Sequence, residues 1–245
     1  MHVDFCLPIK NEAAILAKSL EKLLAYCRQS NWPFTWQIIG VVNGSNDNSQ
    51  DILLEFKRRF PKEVDVFVIL QPGRGRALKK YWSQSQADIL IYMDTDLAVS
   101  LEDISKLVNP LLNNQADLTV GSRLIPGAKT KRSLVREVIS RSYSFIFRFM
   151  LHSSIRDSQC GFKAIKAEVF QRLKPYCRDD YWFFDTELIV LGSHFNYRVR
   201  EVPVDWKENR SGTRQSTVKI WRDSWLFLKN LQSFRKYLKT LPPSC

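Results

Sequence analysis

The segment Asp88-Ile89-Leu90-Ile91-Tyr92-Met93-Asp94-Thr95-Asp96 is an apolar run that ends in two aspartates one residue apart. Hard divalent cations take oxygen ligands, and Mg²⁺ typically uses one or two carboxylates together with substrate phosphates. A buried strand that delivers Asp94 and Asp96 to the carboxyl end of an α/β sheet puts them where such sheets bind ligands. The chemistry expected there is a Mg²⁺ or Mn²⁺ ion on Asp94 and Asp96 that holds a diphosphate. Two aspartates capping a surface turn would read the same way, so the choice rests on the elements around them.

Those elements alternate. Apolar or β-branched runs at 3–9, 37–42, 64–70, 89–93 and 118–121 are separated by helical patterns at 12–28, 49–60, 75–86 and 101–114. This predicts βα units on a mostly parallel, Rossmann-like sheet flanked by helices. Ser49 or Asp47 is the expected start of the second helix, and Ser100 of the fourth. At 245 residues the chain can bury one large α/β domain. Its expected extent is 1–212, followed by a basic amphipathic helical segment over 213–245. A hydrophobic content of 44%, with only 9 glycines and 10 prolines, excludes disorder and collagen-like repeats. The five cysteines are widely spaced without a Cys-x-x-Cys pair, which argues against a zinc site or a disulfide framework and suits a reducing cytoplasm. His2, His152 and His194 are scattered and receive no role.

The net charge of +12 is concentrated in two places: six basic residues against one acidic over 129–148, and nine against two over 206–245. Between 133 and 151, Leu134, Val135, Val138, Ile139, Phe145, Ile146, Phe149 and Met150 share one broad side of a helical wheel; the other side carries mainly Arg136, Arg141 and Arg148 with serines. Aromatic content with a nearly one-signed polar face is typical of helices that lie in a membrane interface, though a helix facing the protein core would look similar. In 217–241, Val218, Trp221, Trp225 and Leu228 form one stripe, and Leu231, Phe234, Leu238 and Leu241 continue on a rotated face, which predicts a kink or two short helices. No apolar run reaches the ~18 residues needed to span a bilayer, and no signal peptide is evident at the start. The expectation is a chain peripheral to the cytoplasmic face of a membrane, drawn to an anionic surface. Nucleic acid is not an expected partner, because no recognition motif accompanies the basic residues.

With the Asp-x-Asp pair in place, other segments become readable. Leu7-Pro8-Ile9-Lys10-Asn11-Glu12 and Asn43-Gly44-Ser45-Asn46-Asp47-Asn48-Ser49 resemble the Pro-x-x-Asn-Glu and Asp-Gly-Ser-x-Asp-x-Ser turns of glycosyltransferase family two. Gln71-Pro72-Gly73-Arg74-Gly75-Arg76-Ala77 is similar to that family's Gly-Lys-Gly turn, and Gly121-Ser122-Arg123 to its Gly-Ser-Arg. Asp157-Ser158-Gln159-Cys160-Gly161-Phe162-Lys163, Phe184-Asp185-Thr186-Glu187-Leu188 and Glu201-Val202-Pro203-Val204-Asp205-Trp206 resemble its polyprenyl-phosphate sugar synthases, dolichyl-phosphate glucosyltransferases most of all.

The resemblance implies a GT-A fold and a metal-dependent, inverting hexosyltransferase. It implies a nucleotide sugar bound by Pro8, Glu12, Asn43, Arg74, Asp94 and Arg210, with a metal on Asp96 and Asp94 beside it touching metal or ribose. It places Arg123, Arg136 and Ser140 at an acceptor phosphate on polyprenyl or dolichyl phosphate. That acceptor is ionised and needs no base; a glycan or protein hydroxyl would need one, for which Asp157 or Asp185 is available. The catalytic set is thus Asp94, Asp96 and Asp157. Two departures matter. Asn43 stands where relatives commonly carry Asp; one donor and one acceptor suit a uracil edge better than guanine, which favours UDP-glucose over GDP-mannose. Ala98 stands where some mannosyl relatives place a metal-ligating Gln. Asp185 and Glu187 precede an apolar run and read equally well as structural.

Overall fold

The computed structural model describes residues 1–131, 134–207 and 220–242, with side chains for all of these except 134–136 and 220–225. In chain order the elements are β1 (His2–Ile9), α1 (Ala13–Gln29), β2 (Thr35–Asn43), α2 (Ser49–Arg59), β3 (Val64–Ile69), α3 (Arg74–Trp82), β4 (Ile89–Met93), α4 (Ile104–Leu112), β5 (Leu118–Ser122), β6 (Lys129–Lys131), α5 (Leu134–Leu151), β7 (Phe162–Lys166), α6 (Ala167–Leu173), α7 (Phe184–His194), β8 (Val199–Pro203), β9 (Asp205–Lys207) and α8 (Ile220–Leu238). Seven strands form one sheet in the order β3-β2-β1-β4-β7-β5-β8; β6 and β9 pair separately. All neighbours in the large sheet are parallel except β7, which runs antiparallel between β4 and β5.

Residues on the two faces of β1 explain its continuous apolar run. Val3, Phe5, Leu7 and Ile9 pack with Leu16, Leu20 and Leu23 of α1, Leu53 and Phe56 of α2 and Leu107 of α4. Cys6 faces the other way, with Ile39, Val41, Leu90 and Tyr92, toward Leu78 and Trp82 of α3, Phe170 of α6, Leu188 of α7 and Leu231 and Phe234 of α8. A strand covered on both faces shows no period-two alternation, as parallel sheets require.

Several expectations shift. Asn48 precedes α2, and the bond that caps it comes from Asp47, whose Oδ1 accepts the Ser49 N–H at 3.0 Å. Ser100 gives no side-chain cap; a single 3₁₀ turn over Leu101–Asp103 precedes α4. In α5, Phe147 and Leu151 are buried and Tyr143 packs beside them; of the expected apolar side Ile146 and Met150 pack against the same cluster, while Val138, Phe145 and Phe149 are 63%, 70% and 72% exposed. The wheel had one broad apolar side; the packed helix divides it into a buried and an open half. The C-terminal helix is continuous from Ile220 to Leu238, without the expected break. No helix among the described residues is long and apolar enough to cross a membrane.

Candidate active site

The chain steps from β1 outward to β2 and β3, then returns to β4 on the other side of β1, so the carboxyl ends of β1 and β4 flank a topological switch point. Pro8, Asn43, Asp94 and Asp96 all come to this end. Because β7 runs the opposite way, its leading residues 157–161 arrive at the same end, with Met93 opposite Phe162. Ser122 and Pro203 close β5 and β8 beside them. One antiparallel strand thus gathers on a single edge motifs far apart in sequence.

The first two turns interlock. Asn11, Glu12 and Ala13 donate backbone N–H bonds to Ser45 Oγ, Ser49 Oγ and Asp47 Oδ2 at 3.1, 2.9 and 3.0 Å, and the Asn46 N–H returns one to Asn11 Oδ1 at 2.9 Å. Asn43 is 3% exposed. Its Nδ2 donates to the Ile9 carbonyl at 2.9 Å and its Oδ1 accepts the Gly73 N–H at 3.2 Å. The amide uses one donor and one acceptor to tie β1 to the turn after β3, a task an aspartate could only half perform. Gly73 has φ +143°, and a Cβ there would come 2.5 Å from the Asp180 carbonyl oxygen.

Asp94 donates its backbone N–H to the Gly161 carbonyl at 3.1 Å. A Cβ on Gly161 would fall 1.9 Å from Asp94 Oδ2, so only glycine leaves room for this carboxylate. Arg74 Nη1 lies 3.3 Å from Asp94 Oδ1 and its Nη2 pairs with Asp185. The guanidinium is stacked 3.8 Å from the Trp182 ring centroid and 5.1 Å from that of Tyr92. Desolvation by the cleft walls raises the Asp94 carboxyl; Arg74 pulls it down and Asp96 and Asp185 push it up again, leaving it above the usual carboxylate range. Asp96 Oδ1 accepts the Ala98 N–H at 3.2 Å. Beneath the site, fully buried Lys163 donates to the Cys160 carbonyl at 2.5 Å and stands 3.0 Å from Asp185 Oδ1.

Asp157 is 2% exposed and gripped by Arg123: Nε and Nη2 donate to its two oxygens at 2.7 and 2.9 Å, and the Arg123 N–H adds a third bond at 3.0 Å. Burial would raise this carboxyl, but Arg123 overrides it and holds the group below its ordinary value. Glu201 fixes the approach by accepting the N–H groups of Arg156 and Asp157, both at 2.9 Å. Asp185, the other base considered, is 1% exposed and enclosed by Arg74 and Lys163. Glu187 accepts the N–H groups of Arg178 and Asp179 at 2.9 and 2.8 Å, the structural alternative for that residue.

Ser140 is half-buried on α5, and Arg136 belongs to the first turn of that helix, its side chain outside the description; Arg210 and the expected boundary at 212 lie outside the described residues. The sequence gives no signal for Lys163 beside Asp185 or for Trp182 over Arg74; Lys163 lies in the 157–163 motif, where a lysine reads as a surface residue.

The donor set suits a hard divalent cation. Asp94 and Asp96 are oxygen donors, and among the described residues no group of three His, Cys, Asp or Glu gathers to complete a protein cage. Two carboxylates with remaining positions left to phosphate and water is the pattern Mg²⁺ and Mn²⁺ favour.

An open, mostly parallel sheet with paired acidic residues at its switch point defines a GT-A glycosyltransferase fold. Residues 4–174 match the family described as Glycosyl transferase family 2, and the chain belongs to that family. Among curated proteins it is 31% identical over 219 residues to glycosyltransferase AglD of Haloferax volcanii, a match covering 89% of this chain and 35% of that protein. It is 29% identical over 220 residues to a dolichyl-phosphate beta-glucosyltransferase of Trichomonas vaginalis (85% and 66%) and 28% identical over 231 residues to the human dolichyl-phosphate beta-glucosyltransferase (89% and 70%). The chain therefore spans about a third of the first relative and just under two thirds of the second. Its fold is shared with glucosyl-3-phosphoglycerate synthase from Mycobacterium tuberculosis, solved with Mn²⁺, UDP and glucosyl-3-phosphoglycerate: TM-score 0.66, 16% identity, covering 99% of this chain and 81% of that one.

Proposed function

We propose that this chain transfers glucose from UDP-glucose, with inversion, to a polyprenyl phosphate of the dolichyl type at an anionic membrane surface. The observation that carries the choice of acceptor is the state of the two carboxylates that would serve a hydroxyl acceptor. Asp157 is buried against Arg123 with its carboxyl held low, and Asp185 is enclosed by Arg74 and Lys163. Neither is suited to take a proton. A phosphate acceptor, already ionised at neutral pH, needs no proton removed, and the names of the dolichyl-phosphate relatives point the same way.

In this reading Asp94 and Asp96 hold the metal, which when bound supplies positive charge to the leaving diphosphate. Arg74 adds a fixed guanidinium beside the same oxygens, and Lys163 adds charge from below. Fixed cations aimed at developing negative charge are usually the largest catalytic contribution. Pro8, Glu12 and Asn43 line the nucleoside end, Asn43 by shaping the Gly73 turn. Arg210 supports the diphosphate; Arg123, Arg136 and Ser140 receive the acceptor phosphate, Arg123 with its orientation set by Asp157. Lipid-linked acceptors bring the exposed aromatic residues of α5 and the basic C-terminal segment to the bilayer.

The test is incubation with radiolabelled nucleotide sugars and a short-chain polyprenyl phosphate. Label from UDP-glucose should become extractable into organic solvent only when the lipid phosphate is present and should fail to appear in EDTA. Label passing instead to a water-soluble glycan would overturn the acceptor, and preference for GDP-mannose would overturn the donor.

A further inference from the structure

Beside α5 lies an open cavity of about 170 Å³, lined by Leu124, Arg141, Ser144, Phe145, Arg148 and Arg156. None of the residues given to the metal, the nucleotide or the acceptor lines it. Ser144 is buried at 7% exposure and supplies a hydroxyl to its wall. Arg141 is paired with Glu137 at 2.5 Å, whereas Arg148 and Arg156 have no carboxylate partner among the described residues. Two uncompensated guanidinium groups and a hydroxyl around one small cavity form an anion socket, and the planar fork of arginine fits phosphate oxygens well.

The rim of the socket sets the kind of anion. Phe145 belongs to the lining and yet is 70% exposed; Phe149, 72% exposed, stacks with it at 6.4 Å between centroids and an interplanar angle of 10°. Val138 continues the open apolar face toward the start of the helix. A free phosphate or an acidic peptide would satisfy the arginines and leave this ridge in water. A bilayer satisfies both, because aromatic rings settle at the boundary of acyl chains and headgroups while arginines reach the phosphates.

We propose that the Arg141–Arg148–Arg156 socket binds the headgroup phosphate of an anionic membrane phospholipid, distinct from the acceptor, and so seats α5 on the bilayer with Phe145 and Phe149 beneath the headgroups. The inference rests on the membrane placement of the proposed function and is independent of sugar and acceptor. Leu124 of the socket wall directly follows Arg123, the residue after β5, so lipid in the socket would hold the cleft at the membrane surface.

The test is cosedimentation with vesicles of phosphatidylcholine alone or mixed with phosphatidylglycerol, run beside transfer to a short-chain polyprenyl phosphate in vesicle-free solution. Wild type should pellet with the anionic vesicles. The double variant Arg148→Gln/Arg156→Gln should bind them at least about tenfold more weakly, the scale set by two cationic contacts at an anionic surface. Its vesicle-free activity should stay within about twofold of wild type. The control Arg58→Gln/Lys62→Gln, which removes the same charge from exposed positions at and just beyond the end of α2, should bind as wild type does. Phe145→Ser should weaken binding in both vesicle types with all arginines present. Undiminished sedimentation of the arginine variant, or an equal loss in the control, would overturn the socket. Loss of vesicle-free activity in the arginine variant would overturn it too, by giving the pocket to the acceptor. Failure of wild type itself to transfer sugar in the vesicle-free assay would count against the proposed reaction and leave the binding result standing.

Discussion

Replacing Glu187 with glutamine should stabilise the protein increasingly as the pH rises. Glu187 lies in the first turn of α7, 3% exposed, beside a cavity of about 200 Å³ that it lines together with Arg178, Asp179 and Phe183 of the preceding loop and residues of α8. Desolvation by burial lifts its carboxyl from an ordinary 4.5 to about 7; the nearby Asp179 adds to this, and the bonds from Arg178 and Asp179 N–H oppose it. The folded chain therefore keeps a proton that the unfolded chain releases between those two values. Its contribution to stability is complete below about pH 4.5, declines through the interval and is lost above about pH 7. At ~1.4 kcal/mol per pH unit the interval amounts to ~3 kcal/mol. The amide introduced by Glu187→Gln would keep a carbonyl oxygen for the two N–H groups and carry no charge. Urea unfolding followed by circular dichroism at several pH values should show Glu187→Gln nearly equal to wild type at pH 4.5 and about 2–3 kcal/mol more stable at pH 8. A difference that does not change with pH, or a less stable variant at pH 8, would refute the reasoning. The matter bears on the site, because Glu187 holds the start of the loop whose Asp180 pairs with Arg76 and Lys79 and whose Trp182 covers Arg74.

Three further outcomes follow from the carboxylate pair and its supports. Asp96→Asn should lower turnover at least ~100-fold while the melting temperature holds; near-normal turnover of glucose from UDP-glucose, with Mn²⁺ varied, would exclude the metal assignment. Asn43→Asp should cost about 1–3 kcal/mol by leaving the Ile9 carbonyl without its donor, with little change in UDP affinity by calorimetry; a stable variant that binds UDP more than tenfold differently would mean the side chain reads the base. Gly161→Ala should displace Asp94 and depress kcat far more than stability; wild-type turnover would show that the carboxylate position is unimportant.

The first five strands and four helices were legible because each strand is a short apolar run bounded by polar turns and each helix is amphipathic. The later half hid its elements for physical reasons. Nine successive residues of α7, Phe184 to Gly192, are buried, so it has no polar face to reveal a period. The strand β8 mixes charges with Pro203 at a sheet edge, and β7 carries a buried lysine that reads as a surface residue. The site was legible in composition but not in pairing. Nothing in the sequence indicates that Arg123 and Asp157, separated by a helix, are partners, or that Asn43 turns its amide toward the backbone. The break expected in α8 rests on a rotated apolar stripe; the helix is instead continuous and docks through one face, burying Leu231 and Phe234 and setting Phe227 against the rings of Tyr143 and Phe183.

The antiparallel strand β7 also fixes an order of assembly. In a chain made from its N-terminus, β1 to β4 can pair as they emerge, but β5 is synthesised with neither of its eventual neighbours in existence. It must wait for β7 on one side and β8 on the other. Until then the growing end of the sheet stops at β4, with its open edge formed by the strand that leads to Asp94 and Asp96. An unpaired apolar strand edge is the kind of surface that recruits the wrong partner. The strand that completes the catalytic edge is therefore also the one whose late arrival determines how long a nascent chain stays vulnerable to misassembly.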